Sequence, residues 1–305
     1  MSRRGALLFA GLCVVWGIPY FLIKIAVTDV SPALLVLART AIAAVLLLPL
    51  ALARGGLGPT LRRWRPLLVF AAVEVAVPWL MLSDAERHLT SSLTGLLVAA
   101  VPLVGAGLAL MRGRQDRLGP VNLAGLGLGL FGVVALVGFD VHGAQTLAVL
   151  EMAVVAVGYA TGPVILTRWL SDLPGVAVMA VTVSVCALVY LPFGLAALPD
   201  RVPRATVISA VIALGVICTA LAFLMLFGLV AEIGPVRATV ITYVNPAVAV
   251  AAGVLLLREP FTRATALGFG LVVAGSVLAT RKPGEPARPA PRVRAAAVVD
   301  ADCTG

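Results

Sequence analysis

The sequence predicts an all-α integral membrane protein of ten transmembrane helices, arranged as two five-helix inverted repeats with both termini cytoplasmic. Composition points there first: 61% of the 305 residues are hydrophobic, 12% are charged and the mean hydropathy is +1.08, too few polar residues to cover a soluble globule. The apolar residues also fall into ten runs, near 6–25, 32–52, 66–84, 91–111, 119–138, 145–167, 174–198, 205–228, 235–257 and 264–280. Each is close to the ~20 residues an α-helix needs to cross a ~30 Å hydrocarbon layer. Finally, the fourth and fifth runs recur as the ninth and tenth. Small polar residues, a helix with one mid-span proline, a charged turn and a glycine-spaced helix follow each other in both places, with Pro102 matching Pro246 and Gly125 and Gly132 matching Gly268 and Gly275.

Five spans per copy is an odd number, so the second copy crosses the membrane in the opposite sense to the first. Such inverted pairs build transporters that rock about a site near the bilayer midplane. The copies are expected over residues 1–138 and 139–280, followed by a tail, 281–305, that is rich in Pro, Arg and Ala and without apolar periodicity. That composition predicts a disordered, basic cytoplasmic segment able to touch anionic lipid.

Orientation follows from the basic residues. Sixteen Lys or Arg residues lie on the side of the termini and six on the other, with Arg39 inside a span. Positive loops stay inside, which places both termini in the cytoplasm. The net charge of +9 is spread over the gaps between apolar runs rather than gathered on one polar face, so nucleic acid is not a partner. The N-terminal Arg3-Arg4 and the apolar run after it resemble a signal peptide, but no Ala-x-Ala-like cleavage site follows and the run is read as a retained first span. Of four cysteines, Cys13, Cys186 and Cys218 fall in apolar runs and Cys303 in the tail. No Cys/His spacing suits a metal or a disulfide framework, and no cofactor motif occurs. GLGLG at 125–129 has no strand before it and is no nucleotide fingerprint. Arginine outnumbers lysine 21 to 2 among many Ala, Gly and Val residues, which suggests a GC-rich bacterial genome and a bacterial inner (plasma) membrane.

The stretch from Pro246 through Glu259-Pro260 to Gly268 and Gly275 resembles the second repeat of the EamA-like family in the drug/metabolite transporter superfamily. Trp16-Gly17 with Lys24 resembles the family's first-helix signature, and Arg39 sits where the family usually has an arginine. In the first copy the glutamate position holds Gln115 or Asp116, depending on the residue from which the count starts, which departs from the pattern. The resemblance covers about residues 6–280. It implies a multi-pass transporter of small metabolites, amino acids or drug-like molecules, with Pro102, Pro246, Glu259, Gly268 and Gly275 as structural motif residues.

Glu74 is the sharpest candidate for chemistry. It lies about eight residues into the third run, ~12 Å deep at ~1.5 Å per residue. A carboxylate there is costly unless paired, hydrated or protonated, and such residues mark ion or substrate pathways. It is read as a proton-coupling or substrate-binding group, with a structural ion pair to Arg39 as the competing reading. Arg39 is in turn a cation for an anionic substrate group or a packing residue. Trp16, Tyr20, Trp79, Tyr159, Tyr243 and Asn245 are expected to line a pocket for small amphipathic or planar ligands, and Glu151, nearer a membrane face, to reach water or a neighbouring helix. The glycines 125, 127, 129, 132, 268, 270 and 275 are expected to allow close helix packing, and Glu259 to pin one repeat to the other.

Without a Walker motif, a proton gradient is the economical driver of a secondary active exporter. The competing class is an integral-membrane enzyme, which would need acids or nucleophiles clustered at a membrane face. Its only candidate is the Asp84-Glu86-Arg87-His88 group, expected as a solvated loop; the other histidine, His142, also falls in a loop. Fused halves remove the need to dimerise, and a monomer and a homodimer both fit.

Overall fold

A computed structural model describes residues 2–111, 119–138, 143–234, 238 and 240–280, and those residues contain helices and turns but no strand. The expectations for Gln115, Asp116, His142 and the tail 281–305, and the charges at Arg112, Arg114, Arg117 and Arg237, lie outside them. Eight helices are long and apolar enough to cross a membrane: α1 (Arg3–Ala26), α2 (Pro32–Ala53), α3 (Trp64–His88), α4 (Ser91–Met111), α5 (Pro120–Val137), α6 (Ala144–Trp169), α7 (Gly175–Ala196) and α8 (Ala205–Ile233). Two shorter apolar helices follow, α9 (Ile241–Leu256) and α10 (Arg263–Thr280). Large aliphatic side chains such as Leu7, Val45, Leu188 and Leu255 stay exposed on the outside of the bundle, which is the surface an integral membrane protein presents to lipid.

Three boundaries differ from expectation. The third span runs on to His88, so the group Asp84–His88 is helical rather than a solvated loop, and Glu86 within it is fully buried. Span eight extends to Ile233, and a short helix, Leu57–Arg62, precedes α3. The third span continues because neighbouring helices still cover its end, where Ala85, Glu86 and Leu89 are buried.

Local starts and stops follow from residue chemistry. Ser31 and Thr90 cap α2 and α4 by accepting the N–H groups of Leu34 and Leu93 at 3.3 and 3.2 Å. Proline sits at the first turn of α2 and α5, where its missing N–H costs nothing. Pro49, Pro163, Pro192 and Pro246 lie inside uninterrupted helices, whereas α1 breaks at Ile18 just before Pro19, and α4 at Ala99–Ala100 just before Pro102.

Two wider turns were not foreseen. Ala71–Ala76 in α3 and Val216–Leu221 in α8 are π-helical, starting 145 positions apart. In α3 the cause is Pro78, which cannot donate to the carbonyl four residues back and pushes against it, so the Val77 N–H reaches five residues back to Ala72 instead. In α8 no proline is near. There the Thr219 hydroxyl donates to the Leu214 carbonyl, five residues earlier, at 2.8 Å and fills the widened turn.

Helix packing is reciprocal. Counterparts meet directly, α2 with α7, α4 with α9 and α5 with α10, while α1 packs on α8 and α9 just as α6 packs on α3 and α4. The α5–α10 contact is the most extensive and runs on glycine. A Cβ added at Gly275 would collide with the Gly129 backbone, one at Gly125 with the backbone of Leu278 and Ala279, and one at Gly132 with the Val272 backbone. Gly268 likewise faces Leu136, but Gly127 and Gly270 face open space, so two of the seven glycines expected at the contact are not there. Ion pairs tie exposed turns: Arg63 with Asp172, and Arg204 with Asp29, each at 2.7 Å. The two-pronged hydrogen bond from Arg204 holds the Asp29 carboxyl well below the usual carboxylate range. That contribution is present at neutral pH and disappears as the pH falls below the ordinary carboxylate value of about 4.

Gly275→Leu is expected to lower thermal stability in detergent by the ~1–3 kcal/mol typical of overpacking, because the rigid Gly129 backbone cannot yield. Gly270→Leu should leave the melting temperature within error, a contrast readable by fluorescence-detected size exclusion after heating.

Candidate functional site

The bundle interior holds a buried cation. Arg39, in the middle of α2, lays its guanidinium over the Trp79 ring of α3, 3.7 Å from its centroid. Its Nε donates to the Thr219 hydroxyl in the π-turn of α8 at 2.8 Å. Thr219 is therefore relay and cap together, accepting from Arg39 while donating to the Leu214 carbonyl. Stacking on indole and one charge-neutral acceptor leave the outer guanidinium nitrogens for another partner. Tyr20 from α1 and Tyr159 from α6 complete the cluster: both phenols lie within electrostatic reach of Arg39 and of each other, and the Tyr159 hydroxyl is also close to the Trp79 indole. Five helices thus contribute to one polar patch inside an apolar bundle.

Glu74 approaches the same patch from the π-turn of α3, and the Tyr159 phenol is within electrostatic reach of both Glu74 and Arg39. No ion pair to Arg39 forms. Of the two competing readings of Glu74, the structural pair is set aside, because Arg39 is turned toward Thr219 and Trp79 while the buried Glu74 Oε2 has no hydrogen-bond partner. The carboxyl is seated against Gly162 of α6, where an added Cβ would occupy its place; one turn away Gly158 lies against the Val73 carbonyl and Pro78. Close helix approach at two glycines thus creates the slot that holds the acid.

The remaining predicted residues divide. Trp16 packs edge-on against Phe223, 5.9 Å between centroids, and Phe223 stacks on Phe227, so Trp16 belongs to an aromatic wall beside α8. Asn245 faces the carbonyls of Cys13 in α1 and Ile241 in its own helix, and with its amide nitrogen turned toward them it donates to both at 3.1 Å. Tyr243 points elsewhere, its hydroxyl 3.0 Å from Thr280 at the end of α10, and takes no part in the cluster. Pro246 is buried in α9, and Pro102 lies in α4 just past its break.

Glu259 sits in the connection between α9 and α10 and grips the start of α4. Its carboxylate accepts the N–H groups of Ser91 and Ser92 at 2.8 and 2.9 Å and also the Ser92 hydroxyl. These are orphan donors at a helix N-terminus, the place where an anion is best stabilised. Lys24 plays the converse role, donating to the carbonyls of Glu86 and Leu89 at the end of α3, both at 2.6 Å. Glu86, expected in a solvated loop, is 0% exposed with neither carboxyl oxygen partnered and lies within electrostatic reach of Lys24 and Glu259; sequence reasoning missed this burial. It also missed Thr219, an ordinary residue in an apolar run. Among the described residues, no three His, Cys, Asp or Glu side chains are grouped to hold a metal ion.

Apolar helices in this number, enclosing a guanidinium, phenols and an unpartnered carboxyl, define a multi-pass membrane protein with a polar interior. The profile of the EamA-like transporter family matches residues 3–138 and again 146–281, and the chain belongs to that family. It is therefore a membrane transporter of the drug/metabolite type. The uncharacterized inner membrane transporter YedA of Escherichia coli strain K12 is 29% identical over 286 residues, 90% of this chain and 89% of YedA. The uncharacterized transporter YvbV of Bacillus subtilis strain 168 is 26% identical over 289 residues, 92% of this chain and 93% of YvbV. A solved crystal structure with 23% identity superposes with a TM-score of 0.65, covering 92% of this chain and 97% of its own, and shares the fold.

Removing the Glu259 carboxylate leaves buried N–H groups without acceptors, each costing ~1–3 kcal/mol. Glu259→Ala is thus expected to lower the detergent melting temperature by several degrees, with Glu259→Gln intermediate because one amide oxygen still accepts. Equal melting of all three proteins would remove the clamp.

Proposed function

We propose that this protein is a secondary active transporter that exports a small metabolite, amino acid or drug-like molecule across the bacterial inner membrane by alternating access, driven by protons. The observation that carries this is Glu74: a carboxyl with a buried, unpartnered oxygen, held in a broken helical turn beside a cluster of arginine and tyrosines. A carboxyl in that position exchanges a proton at lower cost than it holds a permanent charge. Arg39 has donor capacity left for an anionic group of a substrate, and Trp79, Tyr20 and Tyr159 supply flat apolar walls with polar edges.

In this reading all ten helices span the membrane, as two units of opposite sense covering 1–138 and 139–280, and both termini are cytoplasmic. The reciprocal packing supports it, since α1 and α6 each lie on the third and fourth helices of the other unit. Rocking one unit against the other would shear the α1–α8 and α6–α3 seams, and Glu74 lies in the second of these. The π-turns in α3 and α8 are the natural hinges, because a widened turn already has a loosened ladder. The names of YedA and YvbV support transport at the inner membrane. An enzymatic reading loses its main support, since Glu86 is buried and Asp84 to His88 form a helix end.

The test is uptake and efflux of amino acids, small metabolites and cationic drugs in proteoliposomes under an imposed pH gradient. Glu74→Gln is expected to abolish gradient-driven accumulation while leaving the folded protein intact. Gradient-driven transport that survives in the variant would remove Glu74 from the coupling step.

A further inference from the structure

We infer that two matching arginine-aspartate latches close the two mouths of the transport path, one at each membrane face. The inference rests on the topology and the rocking motion proposed above. Asp29 lies in the turn after α1, three residues before α2 begins, and Asp172 lies in the turn after α6, three residues before α7 begins. Arg204 immediately precedes α8, and Arg63 immediately precedes α3. Each arginine takes the aspartate of the other unit. Arg204 donates from Nε and Nη2 to the two Asp29 oxygens at 2.9 and 2.7 Å, and Arg63 from Nη1 and Nη2 to the two Asp172 oxygens at 3.0 and 2.7 Å. Both carry one bond more: Arg204 to the Thr28 hydroxyl at 2.7 Å, and Arg63 to the Trp169 carbonyl at 2.8 Å. The same fork-to-carboxylate contact therefore occurs at equivalent places in both copies, which incidental surface charges have no reason to repeat.

What the latches tie decides what they do. Asp29 follows α1 and Arg204 opens α8, so the first latch bridges the α1–α8 seam at the end where α1 stops and α8 starts. Asp172 and Trp169 close α6 and Arg63 opens α3, so the second bridges the α6–α3 seam in the same way. With ten spans and cytoplasmic termini, the first latch lies at the outer face and the second at the inner one. The central cluster sits on these two seams, Tyr20 and Thr219 on one, Trp79 and Tyr159 on the other. Both latches are shut, and Arg39, Tyr20 and Trp79 are each less than one-tenth exposed, so the cluster is closed to both faces. Parting either seam at its latched mouth breaks that latch and leaves the other intact. All four side chains are more than a fifth exposed, and exposed pairs contribute little, which suits contacts that have to break once in every cycle.

The experiment reads a native thiol, Cys218, which is buried beside Thr219 and within electrostatic reach of Arg39. With Cys13, Cys186 and Cys303 replaced by serine, its reaction with a membrane-impermeant maleimide is followed in right-side-out and inside-out membrane vesicles. Asp29→Asn is expected to raise the labelling rate about two- to fivefold from the outer face alone, and Asp172→Asn by a similar factor from the cytoplasmic face alone. That range is what an exposed ion pair can impose on a two-state equilibrium. Reversing each pair, Asp29→Arg with Arg204→Asp and Asp172→Arg with Arg63→Asp, should return labelling toward the native rate, which a misfolded protein would not do. Labelling unchanged in both single variants, labelling that rises from both faces at once, or reversed pairs that stay at the single-variant rate would overturn the latches. A rise from the opposite face in each variant would keep one latch per face and overturn only the orientation proposed above. The assay needs neither substrate nor gradient, so its outcome is read separately from proton coupling at Glu74.

Discussion

Every interrupted backbone turn inside a membrane needs a new partner for the groups it frees, and this structure is arranged around how those partners are found. Water is absent from the hydrocarbon layer, so a free carbonyl or N–H is tolerated only against protein or a polar cavity. Thr219 solves the problem in α8 by turning its hydroxyl onto the Leu214 carbonyl, and in the same act offers its oxygen to Arg39. Tyr190 and Cys186 of α7 do likewise for α3, the Tyr190 hydroxyl donating to the Ala76 carbonyl at 2.9 Å and the Cys186 thiol reaching the Ala71 carbonyl at 3.7 Å. The helices that satisfy the broken turns are therefore fixed to them, and the polar centre is assembled by the same bonds.

The two halves use one scaffold for different chemistry. Glu74 and Thr219 each hold the fourth position of their π-turn. The threonine is saturated by its own helix and an arginine, whereas the carboxyl oxygen is left open against Gly162. Symmetric packing with asymmetric polarity thus leaves an open carboxyl oxygen in the α3–α6 seam and a satisfied hydroxyl at the matching place in α8. A carboxyl at both positions would double the desolvation cost.

Much of this was legible beforehand, and the limits have physical causes. Hydropathy marked the eight helices long enough to cross a membrane and the two shorter apolar ones, because lipid imposes length and composition directly on sequence. That Gly125, Gly132, Gly268 and Gly275 serve close helix packing was readable from spacing, since such contact demands small residues at fixed intervals, whereas which helices meet there was not. Glu74 and Arg39 stood out because charge is rare in an apolar run, yet their pairing failed: side-chain direction depends on helix rotation, which periodicity alone does not settle when all faces are apolar. Thr219 was invisible for the opposite reason, as a threonine carries no signal until a π-turn and an arginine meet at it. Tyr243 was misplaced because its polar neighbour, Thr280, belongs to the next helix rather than to the core.

Glu86 completes the argument about where charge is tolerated. It lies at the end of α3, where Lys24 neutralises the terminal carbonyls and Glu259 holds the first turn of α4. A loop would have allowed it water; the continuous helix instead draws it inside, between a cation and another acid. Lys24 of α1 is anchored to the end of α3 and Glu259, between α9 and α10, to the start of α4, and these two grips on backbone close over a Glu86 carboxyl that has no hydrogen-bond partner of its own.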